Sequence, residues 1–105
     1  MAMRVHAADL TNLQVGRALA VNAQGRRLVL CRPSPEEIYA LDDTCSHAQA
    51  FLSDGRLQGY EIECPRHGAL FDIRTGEALT LPATRPVHTY PVVVEGNSIF
   101  VEVPE

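Results

Sequence analysis

The sequence predicts an all-β protein, with a sandwich-like base of antiparallel strands and a small metal-binding subdomain inserted between two of them. Short runs rich in Val, Ile and Leu alternate with turns containing Gly, Pro and Asn along the 105 residues. No stretch keeps a helical apolar period over three turns. Two Cys- and His-containing segments lie close together in mid-chain, as expected for a metal site built from two loops.

The first part of the chain supplies four predicted strands, over residues 3–8, 18–21, 28–32 and 38–41. A turn ending in Gly25 joins the second and third strands into a hairpin. Pro33 and Pro35 are expected to end the third strand, because prolines are excluded from the middle of a central ladder.

Short strands are predicted around the metal-binding segments at 56–57, 60–63, 70–73 and 78–79, followed by a terminal hairpin of 87–95 and 98–103. The short strands are too small to enclose a core of their own. We therefore expect the bound metal to act as the core of a subdomain over about residues 43–82, which is disordered without it. The whole chain, 1–105, is predicted to form one domain.

Composition excludes several classes of function. Apolar residues make up 46% and charged residues 21% of the chain, as in ordinary globular proteins. There is no apolar run of the ~20 residues that span a membrane and no signal-peptide core at the N-terminus, so a cytoplasmic location is expected. The net charge is −4 and all nine basic residues are Arg, which disfavours nucleic acid and favours docking onto a basic patch.

The central motif is Cys45-Ser46-His47, then sixteen residues, then Cys64-Pro65-Arg66-His67. Each segment supplies one thiolate and one imidazole. This set suits a 2Fe–2S cluster in which two Cys hold one iron and two His hold the other. The same four side chains could bind zinc tetrahedrally, although zinc motifs usually contain C-x-x-C or H-x-x-x-H. The motif alone thus leaves a structural zinc-binding interaction module as an alternative.

Three other residues near the motif have simpler interpretations. Cys31 lies in the apolar run 28–31 and has no cysteine left to pair with, so we expect a buried strand residue. Asp42 and Asp43 precede the first segment, where they would either cap backbone N–H groups or form an acidic rim for a partner.

The residues around both segments resemble those of Rieske proteins. Residues 64–72, CPRHGALFD, with Thr75-Gly76 after them, resemble the second cluster loop, and Cys45-Ser46-His47 with Leu52-Ser53-Asp54-Gly55 resembles the first. The resemblance covers about residues 38–103 and is nearest to the small ferredoxins of bacterial ring-hydroxylating dioxygenases. It implies the Rieske fold and one 2Fe–2S cluster per chain, with the ligands Cys45, His47, Cys64 and His67.

The resemblance also implies a function. Such a protein is a monomeric one-electron carrier without catalytic residues, which takes electrons from a flavin-dependent ferredoxin reductase. It passes them to a terminal aromatic-ring dioxygenase in the catabolism of aromatic hydrocarbons. The alternative within this fold is the Rieske-like small subunit of an assimilatory nitrite reductase, which can lack the ligands; the presence of all four counts against it.

Departures from the high-potential members predict a low reduction potential. Those proteins join their two loops by a disulfide, at positions that match Ala50 and Arg66 here, and direct Ser and Tyr hydroxyls at the sulfurs where this chain has Ala69 and Phe71.

A proline-containing loop closes over the cluster in the family, with Pro82 as its counterpart. Arg66 is expected either to bond locally to the first loop or to steer an acidic partner.

Overall fold

The structure is a computed structural model that describes residues 1–46 and 49–105. Over these ranges the strands are β1 (Ala2–Asp9), β2 (Arg17–Ala23), β3 (Arg26–Ser34), β4 (Glu37–Asp42), β5 (Leu57–Gln58), β6 (Glu61–Glu63), β7 (Leu70–Asp72), β8 (Thr89–Tyr90), β9 (Val92–Glu95) and β10 (Ser98–Pro104). One-turn 3-10 helices cover Leu10–Asn12 and Leu52–Asp54. None of the helices in the described ranges has the length and apolar character needed to cross a membrane.

The strands form three antiparallel sheets. Two of them, with strand orders β1-β10-β9 and β2-β3-β4-β8, make up the base. The third sheet, β5-β6-β7, lies between β4 and β8 in the sequence. The predicted all-β architecture, a sandwich base with a small inserted sheet, is confirmed.

Strand β3 contributes residues to both hydrophobic clusters of the fold, and its residues 28–31 are all fully buried. Leu28 and Leu30 pack with the apolar residues of β10 inside the base. Val29 and Cys31 point the other way, as the period of two in a strand requires, and pack with the third sheet. A continuous apolar run is what a strand covered on both faces needs.

The short strands have no core of their own, as expected, but the expectation that bound metal acts as their core overlooks an apolar core shared with the base. Ile62 and Phe71 of the third sheet, and Leu52 and Ile73 just outside it, are all completely buried. They belong to one cluster with Leu41 and the outer face of β3, so the base supplies the other half of the core. Each such burial contributes about 1.5–3 kcal/mol, and part of this sheet can therefore keep its packing without metal.

Several predicted strand boundaries differ from the structure, and the predicted strand 78–79 is only an isolated bridge between Ala78 and Phe71. Proline explains two of the differences. β3 continues through Pro33 to Ser34, where the ladder with β4 is irregular between Cys31 and Ser34; proline is tolerated at such a bulge. The predicted strand 87–95 is divided at Pro91. Its first part, β8, pairs with β4 of one base sheet, and its second part, β9, pairs with β10 of the other.

Candidate metal centre

Two loops of equivalent construction carry the predicted ligands. The first, residues 45–50, is closed by the Cys45 N–H donating to the Ala50 carbonyl at 2.9 Å. The second, residues 64–69, is closed in the same way by Cys64 and Ala69 at 2.7 Å. A β-bridge flanks the first loop and the β6–β7 ladder flanks the second. The two cysteines therefore occupy equivalent positions, each as the donor of the hydrogen bond that closes its loop.

The structure brings the two predicted cysteine ligands together. Cys45 is 5% exposed and Cys64 is fully buried, and their thiols are within hydrogen-bonding reach of each other. Burial raises the pKa of the Cys64 thiol to about 11; the backbone N–H of Arg66 lowers it, and the Cys45 thiol raises it. Two adjacent buried thiols remain protonated unless a metal takes the place of their protons.

Of the two histidines, only His67 lies in the described ranges; His47 is outside them. His67 is exposed and has a φ of 71°, with Gly68 following at 73°. A left-handed conformation costs a non-glycine residue about 1–2 kcal/mol, and such strain is concentrated at functional sites. A methyl group at position 68 would meet only the Glu63 carboxylate at 3.5 Å, so backbone conformation rather than space favours glycine there.

Within residues 1–46 and 49–105, no three or more His, Cys, Asp or Glu side chains are grouped so as to bind a metal ion. The structure thus does not group His67 with the two thiols. The donor chemistry nevertheless fits a cluster that takes its two thiolates on one iron. The backbone N–H of Arg66 lowers the pKa of the Cys64 thiol, as suits a site that must hold a thiolate.

Cys31 takes no part in the site. It is fully buried on β3, and none of the three cysteines forms a disulfide. Burial, reinforced by the nearby charge of Asp43, raises the pKa of the Cys31 thiol to about 12. The prediction of a structural strand residue is confirmed.

Asp43 fixes the start of the first loop to the helix that follows it. Its fully buried carboxylate accepts hydrogen bonds from Arg27 Nε at 2.7 Å, from Ser53 N–H at 2.7 Å and from the Ser53 hydroxyl at 2.8 Å. The neighbouring Asp42 accepts from the Tyr90 hydroxyl at 2.6 Å. The capping interpretation is confirmed for Asp43, and both carboxylates are engaged within the fold rather than forming an acidic rim.

A third segment, residues 79–87, contacts the first loop and the start of β7, which follows the second loop; we call it the strap. Near its start, Leu79 N–H donates to the Leu70 carbonyl at 2.8 Å, and Leu70 N–H donates to Thr80 Oγ1 at 2.9 Å. Near its end, Ser46 Oγ donates to the Arg85 carbonyl at 2.6 Å, and Arg85 Nη2 donates to the Ser46 carbonyl at 3.2 Å. The only sequence signal near this pair is a Pro-bounded loop close to the motif.

On another edge, Glu37 joins the base to the third sheet. Its carboxylate accepts hydrogen bonds from the hydroxyls of Ser34, Tyr39 and Tyr60, each at 2.8 Å. The two tyrosine rings meet edge to face, and the Arg74 guanidinium lies 4.2 Å from the Tyr60 ring centroid. These contacts tie the β3–β4 corner to the turn before β6.

Comparison with known proteins agrees with this geometry. Residues 3–91 match the family described as the Rieske [2Fe-2S] domain. The chain is 42% identical over 98 residues to the ferredoxin component of the naphthalene 1,2-dioxygenase system of Pseudomonas aeruginosa, covering 93% of each chain. Its structure superposes with a TM-score of 0.90 on the ferredoxin of carbazole 1,9a-dioxygenase from Nocardioides aromaticivorans IC177, at 39% identity and with coverage of 94% and 96%.

A further solved structure contains such a protein with its partner. It is a complex of reduced oxygenase and oxidized ferredoxin in carbazole 1,9a-dioxygenase. The ferredoxin is 34% identical to this chain with a TM-score of 0.86, and the match covers 93% of this chain and 91% of that one.

The chain belongs to the Rieske [2Fe-2S] family. Within it, the chain is a ferredoxin, an electron carrier whose cofactor is a Rieske-type 2Fe–2S cluster. The family match favours this cofactor over the zinc alternative. The similarity to dioxygenase ferredoxins likewise favours a free-standing carrier over a nitrite reductase subunit.

Proposed function

We propose that this protein carries single electrons from a flavin-dependent ferredoxin reductase to a terminal aromatic-ring dioxygenase, and that Cys45, His47, Cys64 and His67 bind its cluster. The observation that carries the proposal is the pair of equivalent loops, which place two buried thiols side by side. The relatives supply the class of partner, because they are components of dioxygenase systems.

The chain's own residues have distinct tasks in this function. The cluster, when bound, supplies the centre that holds one added electron. Cys45 and Cys64 are buried, which keeps water from the thiolate side, and the Arg66 N–H offsets negative charge on the Cys64 sulfur. His67 is exposed at the loop tip, so its imidazole is a natural point of electron entry and exit.

The surface around the loops indicates the chemistry of the partner. The two loops and the strap carry Arg66 and Arg85 but none of the 13 acidic residues. Leu79 is 40% and Leu81 is 78% exposed in the same region. Although the whole chain is acidic, the charged side chains of these three segments are all basic, with the Glu63 carboxylate at their edge. Local charge governs a short-range contact. We expect the docking patch of the oxygenase to be apolar with acidic residues around it, rather than basic.

We further propose that the chain is a single domain whose cluster-binding subdomain covers about residues 43–82, that it acts as a monomer, and that it works in the cytoplasm. The cytoplasm holds the reduced nicotinamides that feed flavin reductases, and it keeps thiols such as Cys31 reduced. The aromatic substrate is bound by the oxygenase and not by the carrier.

The test is anaerobic electron transfer with purified components. The iron-loaded protein is mixed with NADH and the flavin reductases of the naphthalene and carbazole systems, and its visible spectrum is followed. The reduced protein is then mixed with the corresponding oxygenases. We expect bleaching by at least one reductase and recovery of the spectrum with at least one oxygenase. Reduction by dithionite but by none of the reductases would contradict the proposal.

A further inference from the structure

The strap contacts the first metal loop and the start of β7, directly after the second loop, although it belongs to neither loop. Its first residues bond to Leu70, which directly follows the second loop. Thirty-nine positions separate Ser46 from Arg85, yet they exchange two hydrogen bonds, one from each side chain to the other's carbonyl. Ser46 directly follows Cys45 in the first loop. Ala83 and Val87 of the strap are only 4% and 6% exposed, so the strap is anchored at these two positions while its other residues face outward.

We propose that the strap is a hydrogen-bonded brace that holds the two metal loops against each other, and that Ser46 and Arg85 are its positioning residues. The proposal rests on the ligand assignment only in requiring that both loops hold the cluster. It is independent of the identity of the reductase and oxygenase.

The two loops have no covalent link, since none of the three cysteines forms a disulfide. The hydrogen bonds between Ser46 and Arg85 do not depend on the thiol–disulfide balance of the surroundings, as a disulfide would.

The test measures how fast the iron-loaded protein loses its cluster to an excess of iron chelator, followed as bleaching of the visible absorption. Ser46→Ala removes the hydroxyl donor and Arg85→Ala removes the guanidinium donor. Each is expected to speed cluster loss about fivefold, the change that one hydrogen bond of ordinary net strength produces. The double variant is expected to fall short of the product of the two single effects, because both bonds join the same two residues.

Arg56→Ala is the matched control. It removes one exposed positive charge outside both loops and the strap, and no hydrogen bond of the Arg56 side chain is described in the structure. We expect its rate of cluster loss to stay near that of the wild type. Ser46→Thr keeps a hydroxyl and should also retain the wild-type rate. Amide exchange of the Cys45 N–H, which closes the first loop, should rise in Ser46→Ala and Arg85→Ala only.

The brace is refuted if Arg85→Ala and Arg56→Ala speed cluster loss equally, because the effect is then one of charge. It is also refuted if Ser46→Ala matches the wild type in both cluster loss and amide exchange. Should Arg85→Ala fail to load iron, the comparison of Ser46→Ala with Ser46→Thr decides alone. An error in the ligand assignment would show itself differently, as retention of the cluster by Cys45→Ser.

Discussion

Gly55 packs so tightly against Glu63 that a Cβ atom at position 55 would overlap the Glu63 carbonyl oxygen. Gly55 ends the 3-10 helix that follows the first loop, and Glu63 immediately precedes Cys64. The next residue, Arg56, accepts a hydrogen bond from the Glu63 N–H at 2.9 Å. The exit of the first loop is thereby fixed against the entry to the second.

Gly55→Ala should destabilise the metal centre strongly. The overlap is with backbone, which cannot rotate away, so we expect a loss of more than about 3 kcal/mol, the upper end of ordinary overpacking. Iron content and thermal unfolding measure the effect. Gly59→Ala is the control: its φ of 58° makes alanine unfavourable by about 1–2 kcal/mol, but no atom lies within 4 Å of the added methyl. Equal effects at the two positions would contradict the packing argument.

Replacing each cysteine in turn should distinguish the two ligand cysteines from Cys31. Cys45→Ser and Cys64→Ser are expected to abolish the cluster. Cys31→Ser should keep full iron content, because Cys31 is a buried residue of strand β3. Iron analysis and visible spectra measure this. A Cys31→Ser variant without iron would overturn the assignment.

The same variants test how far the third sheet depends on its metal. Because Ile62 and Phe71 pack with the base, we expect amide protection near them to persist in Cys64→Ser while the two loops become unprotected. Loss of protection over all of residues 43–82 would instead restore the view that the cluster is the core of this part.

Glu37→Gln should weaken the link between the base and the third sheet. Hydrogen bonds from Tyr60, then from Tyr39 and Ser34, lower the pKa of the Glu37 carboxyl from its ordinary value of 4.5. A lowered pKa in the folded state stabilises the protein above about 4.5, and this contribution disappears as the pH falls through the folded pKa. We expect the variant to melt a few degrees lower at neutral pH.

The pH dependence distinguishes the effect of the Glu37 charge from an effect of altered side-chain packing. The difference in melting temperature between wild type and Glu37→Gln should shrink as the pH falls below about 4.5. Tyr60→Phe removes one donor to the same carboxylate and should show a smaller difference with the same trend. A difference that is constant over this range would show that the carboxylate charge is not responsible.

Arg66→Ala should slow association with the oxygenase more than it changes the reduction potential. Removing one exposed charge is expected to lower the association rate about two- to fivefold at low salt, as an exposed ion pair of ~0.5–1 kcal/mol would, and to flatten its salt dependence. Arg4→Ala, in the β1 sheet of the base, removes the same charge and is the control. An Arg66→Ala variant that transfers electrons at the wild-type rate at low salt would end the steering hypothesis.

The parts that could be predicted from sequence are those determined by neighbouring residues. The run 28–31 predicted a buried strand, and the spacing of Cys45 and Cys64 predicted two loops that meet. Strand period alone could not say that Val29 and Cys31 cover the third sheet, because the covering residues lie far along the chain. The apolar core of that sheet was missed for this reason.

Contacts between side chains that are far apart in the sequence could not be predicted either. Asp43 was expected to cap nearby backbone, and it does, but its partner Arg27 comes from the neighbouring strand. The Ser46–Arg85 pair depends on how the strap folds back, which no local pattern specifies.

The reduction potential tests the central claim most directly. Ala69 and Phe71 are fully buried and carry no hydroxyl, and Ser46 Oγ is engaged with the Arg85 carbonyl rather than with a sulfur. Fewer hydrogen bonds to the sulfurs leave more negative charge on the cluster and disfavour the added electron. Voltammetry at neutral pH should place the midpoint near the bottom of the Rieske range of about −150 to +300 mV, a level suited to a carrier fed by a flavin reductase. A midpoint above about +100 mV, in the upper part of that range, would contradict both the hydrogen-bond argument and the assignment as a dioxygenase ferredoxin.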